Sequence, residues 1–201
     1  RILDALEIYH RDSSTHSSVR RNIYRAELLQ KKGMYDQSMK PLRKAREDAL
    51  EMDLYHALIE INTQWEFNAH LEKYDLKKLE RLHSDVIKTT SLLTESANCR
   101  NLSLKMVTLF NAYFQTRNNK FLKEADELMK DPLIKKAEEI KSFSGKIRIY
   151  ETKFFYWYAK GDLDAACAEG ERAVKLCLSS DLQMKNQIKF YMVLLSNLFY
   201  L

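Results

Sequence analysis

Gly33-Met34-Tyr35-Asp36-Gln37-Ser38-Met39-Lys40-Pro41-Leu42-Arg43-Lys44-Ala45 and Gly161-Asp162-Leu163-Asp164-Ala165-Ala166-Cys167-Ala168-Glu169-Gly170-Glu171-Arg172-Ala173 share one spacing. In both, a glycine is followed by Tyr35 or Leu163 at offset 2, then by Ser38, Leu42 and Ala45 or Ala166, Gly170 and Ala173 at offsets 5, 9 and 12. Steps of four and three residues keep side chains on one helical face. Glycine supplies the left-handed residue that ends a helix, so each stretch reads as a turn followed by a helix with a narrow, small-residue face. A two-helix hairpin cannot bury its apolar face alone, and its recurrence predicts stacked hairpins.

Composition supports an all-α fold. Only four Gly and two Pro in 201 residues leave almost no turns for a sandwich, a barrel or a glycine-rich nucleotide-binding sheet. The net charge of +5 comes from interspersed signs, as in Lys40-Pro41-Leu42-Arg43-Lys44-Ala45-Arg46-Glu47-Asp48, the pattern of solvated helix faces and not of a phosphate-binding stripe. No nucleic acid is therefore expected. Cys99, Cys167 and Cys177 form no CxxC pair and read as packing residues in a reducing compartment, which points to the cytoplasm. The chain starts at Arg1, within an amphipathic pattern, so it is expected to be a piece of a longer protein.

Periodicity outlines helical pairs over residues 17–51, 53–94, 98–142 and 146–178, with partial units at 1–10 and 181–201 of a single domain spanning 1–201. Each pair splits at a turn: 17–32 from 35–51, 53–72 from 75–94, 98–117 from 120–142, and 146–160 from 162–178. The turns at 33, 73, 118 and 161 are separated by 40, 45 and 43 residues. The 53–94 pair is degenerate, with Leu79 and Val86 in place of small residues, and Asp131-Pro132 should break the second helix of the third pair. The end faces, 1–10 and 181–201, lack polar capping helices and are expected to associate at high concentration.

The two glycine-led runs resemble the tetratricopeptide repeat, in which a Gly closes the first helix, an aromatic or Leu opens the second and small residues let the two pack closely. The resemblance covers about 20–51 and 149–178 best, and the step length is that of a long-helix variant; HEAT-like stacking is the runner-up. It implies a right-handed superhelix of antiparallel hairpins whose concave face, lined by the first helices, binds a peptide or partner helix without catalysis. By helical phase the candidate partner-binding residues are Arg21, Arg25, Asn62, Glu66, Asn111, Gln115, Lys153 and Tyr156. A second implied role is a peptide-sensing regulatory domain of a longer signalling or transcription regulator.

Other chemistry is poorly supported. Glu7 with His10 and Glu80 with His83 form Glu-x-x-His pairs like those of di-metal carboxylate bundles, but no helix before Glu7 supplies the first further glutamate. Glu66 with His70 lacks the second His of a zinc helix. Ser144-Gly145-Lys146 lacks the upstream glycine and strand of a phosphate loop. The apolar run Phe190–Leu195 is interrupted by Ser196-Asn197, too short for a membrane span. The expectation is therefore no catalytic residue, no cofactor and no metal.

Overall fold

The computed structural model describes residues 15–71, 76–179 and Met192; the partial units at 1–10 and 181–201, with Glu7, His10 and the turn at 73, lie outside the described residues apart from Met192. No strand occurs among the described residues. The helices are α1 (Thr15–Lys31), α2 (Tyr35–Glu51), α3 (Tyr55–Leu71), α4 (Leu76–Thr116), α5 (Asn119–Leu128), α6 (Pro132–Lys135), a 3-10 turn at Ala137–Glu139, α7 (Phe143–Lys160) and α8 (Leu163–Leu178). The chain is all-α. It divides into two compact units, Arg1–Leu93 and Thr94–Leu201, and the division falls inside α4.

One expectation is corrected. Separate helices over 75–94 and 98–117 are in fact the single 41-residue helix α4, so the second helix of one expected pair and the first of the next are continuous. Residues 94–98 read Thr-Glu-Ser-Ala-Asn, which contains neither a glycine to take left-handed dihedrals nor a proline to remove a donor. Weak helix propensity alone does not end a helix whose next turns pack through buried Cys99, Leu102 and Met106. The break at Asp131-Pro132 is present: α5 ends at Leu128, and Pro132 opens α6 with Asp131 capping Leu133 N–H at 2.9 Å.

The two quoted stretches fold alike, turn by turn. Gly33 and Gly161 are left-handed, with φ of 72° and 80°. The Gly33 N–H donates to Gln30 C=O and Met34 N–H to Leu29 C=O, both at 2.9 Å; Gly161 N–H donates to Tyr158 and Asp162 N–H to Trp157, both at 3.1 Å. This is the double closure that satisfies the last carbonyls of a helix. Beyond each turn the same offsets are buried: Ser38, Leu42, Ala45 and Ala49 in α2, and Ala166, Gly170, Ala173 and Cys177 in α8. The preceding helices match too, with Val19, Asn22, Ile23 and Ala26 against Ile147, Tyr150, Glu151 and Phe154. The α2–α3 turn closes by the same pattern, Leu54 N–H to Ala49 C=O at 2.9 Å, with Asp53 as its left-handed residue at φ 53°.

Within the first unit, α3 packs antiparallel to α2, where Ser38 meets Asn68 and Arg46 lies over Trp65, and parallel to α1, where Glu27 meets Gln64 and Gln30 meets Asn68. A polar chain joins all three helices. Gln30 Nε2 donates to Asn68 Oδ1 at 3.0 Å, Asn68 Nδ2 donates to Ser38 Oγ at 2.7 Å, and Ser38 Oγ donates to Tyr35 C=O at 2.6 Å. Asn68 is 1% exposed, so the small residue of the repeat signature serves here as a hydrogen-bond relay as well as a spacer.

Within the second unit, α7 runs parallel to the 94–116 part of α4. Going along both helices, Glu95 Oε1 accepts from the N–H groups of Lys141 and Ser142 at 3.0 and 3.1 Å, and Ser96 meets Ser144 at 3.1 Å. Ser103 then donates to buried Glu151 at 2.5 Å, and Phe110 and Phe114 reach Phe155 and Tyr158. Cys99, Leu102, Ile134, Ala137, Ile140, Ile147, Tyr150, Ala173 and Cys177 form the core between α4, α6, α7 and α8.

Gly145 sits in the first turn of α7, where a Cβ would collide with the Ser142 hydroxyl that caps its N–H and lie 3.4 Å from Cys99 Sγ. Gly33 and Gly161 have open space around them, so an alanine there meets only backbone strain. Chemical denaturation should accordingly show Gly33→Ala and Gly161→Ala each losing about 1–2 kcal/mol. Gly145→Ala, which displaces a cap and overpacks the α4 contact, should lose at least about 2 kcal/mol. Wild-type stability in all three would contradict the assigned geometry.

Candidate functional site

In the first unit, the parallel helices α1 and α3 leave a groove of about 360 Å³ along their length. Val19, Ile23, Leu54 and Ala57 supply its apolar floor. His16, Arg20, Tyr24 and Glu27 line the α1 wall, and His56 and Glu60 the α3 wall, at the three- and four-residue spacing of a single helical face. Pairing of Gln64 Nε2 with Glu27 Oε1 at 3.4 Å closes its far end and fixes the register of the two helices. The groove is therefore polarised, with His16, Arg20 and His56 toward the helix starts and Glu60 and Glu27 farther along.

His16 titrates below its ordinary value of 6.5, because partial burial disfavours the imidazolium and Arg20 and His56 add positive charge beside it. A carboxylate in the groove would offset the positive charges of Arg20 and His56 and favour the imidazolium. The arrangement suits a ligand with an anionic group at one end and donors at the other.

The residues expected from helical phase are placed as follows. Arg25 lines a separate groove between α1 and α2, and Arg21 is half-buried on α1. Asn62 is 2% exposed and its Oδ1 has no partner. Glu66 is half-buried, with one carboxylate oxygen 3.7 Å from His83 Nδ1. Asn111 and Gln115 are exposed on α4, Lys153 is half-buried on α7, and half-buried Tyr156 donates to Asp126 Oδ1 at 2.9 Å. These side chains do not form one lining. On α1 the buried stripe is Val19, Ile23 and Ala26, and the groove-lining Arg20 and Tyr24 each stand one position before Arg21 and Arg25; His16 of α1 and His56 and Glu60 of α3 line the same groove.

In the second unit, half-buried Phe110 and Phe114 of α4 stack with Phe155 and Tyr158 of α7 at centroid distances of 4.8 to 5.6 Å. The Arg117 guanidinium lies 4.8 Å from the Phe114 ring centroid. The aromatic run 154–158 thus mostly packs between helices. Asp126 of α5 accepts from Tyr156 and from Lys160 one turn on, pinning α5 to α7. Cys99 is pushed up to about 11, first by burial and then by Glu95 and Asp131, and burial also raises Cys177. Both thiols stay protonated at neutral pH, which suits packing and not nucleophilic attack.

Glu80 and His83 are exposed, and among the described residues no three His, Cys, Asp or Glu side chains gather in a group that could hold a metal ion. No helix among the described residues is long and apolar enough to cross a membrane. No family model, curated protein or solved structure matches the chain.

Asp126 provides a pH test. The Lys160 hydrogen bond, and after it that of Tyr156, hold its carboxyl below the ordinary value. A depressed native pKa stabilises the fold above the unfolded value of about 3.9, and that contribution is lost as pH falls through the native value. Asp126 is partly solvated, so the contribution should be below about 1 kcal/mol. Asp126→Asn should be slightly less stable than wild type at neutral pH and should lose less stability below pH about 4. Superimposable acid-denaturation curves for the two proteins would contradict the pairing.

Proposed function

We propose that the chain is a non-catalytic protein–protein interaction module, a right-handed superhelix of long-helix tetratricopeptide-like hairpins that holds a peptide or partner helix in a groove lined by first helices. The observation that carries this reading is the parallel pairing of α1 with α3 across the groove of His16, Arg20, Tyr24, His56 and Glu60. Hairpins with one turn geometry and one buried register present their first helices side by side, and such repeats make extended binding surfaces. The pairing of α4 with α7 in the second unit supports the same rule. The groove offers an apolar floor with polar walls at both ends, the mixture that fixes both affinity and direction of a bound peptide.

The test is a selection of randomised displayed peptides on the immobilised full chain, followed by titration of the enriched peptides. Arg20→Glu combined with Tyr24→Ala should weaken them roughly tenfold, about 1.4 kcal/mol, while circular dichroism remains that of wild type. A selection that returns no peptide, or peptides indifferent to both substitutions, would overturn this assignment.

A further inference from the structure

We infer that a second docking surface, between α1 and α2, takes an acidic amphipathic segment of a partner protein. It deepens the interaction reading above, but it rests on a different groove. Residues of both helices surround a groove of about 910 Å³. Leu28, Leu29 and Pro41 supply apolar surface, and Leu28 is 41% exposed.

The charges around the groove are one-sided. Arg25 stands on the α1 wall, Lys40 and Lys44 stand one helical turn apart on the α2 wall, and Asp36 is the one carboxylate among the lining residues. None of the three cations forms an ion pair among the described residues. The hairpin symmetry about Gly33 sets Arg25 across from Lys40 and Pro41. Cations on both walls and at two levels call for several carboxylates distributed along a chain; the single head group of a fatty-acid-like amphiphile would answer only one of them.

Two polar features favour a peptide over a simple anion. Pro41 lies inside α2 and has no N–H to give to the carbonyl of Gln37 four residues earlier, and both residues line the groove. That carbonyl therefore lacks the donor that an ordinary residue at position 41 would supply. Asn22, 6% exposed, adds a carboxamide to the wall. Backbone N–H and C=O groups of a bound segment would meet these, its apolar side chains would cover Leu28 and Leu29, and its Asp or Glu side chains would reach Arg25, Lys40 and Lys44.

Two fluorescein-labelled synthetic peptides test this by anisotropy with the full chain. Both carry leucines on one helical face; one flanks them with glutamates, the other with lysines. The glutamate peptide should bind saturably and more weakly as salt rises, and Lys40→Glu with Lys44→Glu should weaken it on the order of tenfold while improving the lysine peptide. Leu28→Asp should also weaken it, and the Arg20→Glu, Tyr24→Ala variant should bind it as wild type does. That last arm separates the two grooves: loss of binding there alone would place the peptide between α1 and α3 and overturn this inference. Equal binding of both peptides, indifference to the Lys40 and Lys44 reversals, or a dimer in sedimentation that the reversals dissolve would overturn it as well, the last by showing that a second copy of the chain occupies the groove.

Discussion

The left-handed glycine that closes α1 and α7 governs the course of each hairpin. Once Gly33 or Gly161 turns the backbone, the next helix must return along the first at a distance set by the side chains at offsets 5, 9, 12 and 16. Those positions are Ser38, Leu42, Ala45 and Ala49 in one case and Ala166, Gly170, Ala173 and Cys177 in the other, all buried. Small residues there allow close approach of backbones, so that dispersion contacts accumulate along the whole interface. The second helices α2 and α8 consequently carry a narrow buried stripe. The first helices α3 and α7 are buried on more than one face, because each packs against its hairpin partner or predecessor and against another first helix.

Polar groups then fix which first helix lies beside which. Asn68 at the α1–α2–α3 junction and Glu151 at the α4–α7 contact are buried and satisfied by Gln30 and Ser38, and by Ser103 and Arg148. A buried group of this kind adds little net stability but makes every alternative register costly, since slipping would leave it unpaired. The parallel pair α1 and α3 leaves a groove, whereas α4 and α7 fill the space between them with Phe110, Phe114, Phe155 and Tyr158, and the α1–α2 hairpin leaves a further concavity on its flank. Charge sorts these surfaces: imidazole and guanidinium at one end of the α1–α3 groove with carboxylates at the other, and cations around the α1–α2 groove.

The parts of the fold that were legible in the sequence are those with a stereochemical cause that one residue can carry. Helix α2 spans residues 35–51 as its periodicity and the preceding Gly33 require, and the Asp131-Pro132 break comes from a missing donor. The continuity of α4 was not legible, because the absence of Gly and Pro from 94–98 says only that a helix can continue; the packing of Cys99, Leu102 and Met106 makes it do so. Groove residues were harder still. On α1 the groove lining takes Arg20 and Tyr24, one position before Arg21 and Arg25, and Asn62, polar by type, is buried by the helices around α3. Side-chain identity gives the face of a helix, whereas neighbours in space decide whether that face is a groove, an interface or solvent.

The most direct measurement of this close nesting is the stability of Ala45→Leu and Ala173→Leu against Lys44→Leu and Glu171→Leu, by chemical denaturation of the same chain. Ala45 and Ala173 are fully buried at the same offset from their glycines, while nearby Lys44 and Glu171 are exposed. Each alanine substitution is predicted to cost roughly 1–3 kcal/mol by forcing the paired helices apart. The two neighbouring substitutions should stay within about 0.5 kcal/mol of wild type. Alanine positions that accept leucine as readily as Lys44 and Glu171 do would show that tight contact between paired helices is not what holds this chain together.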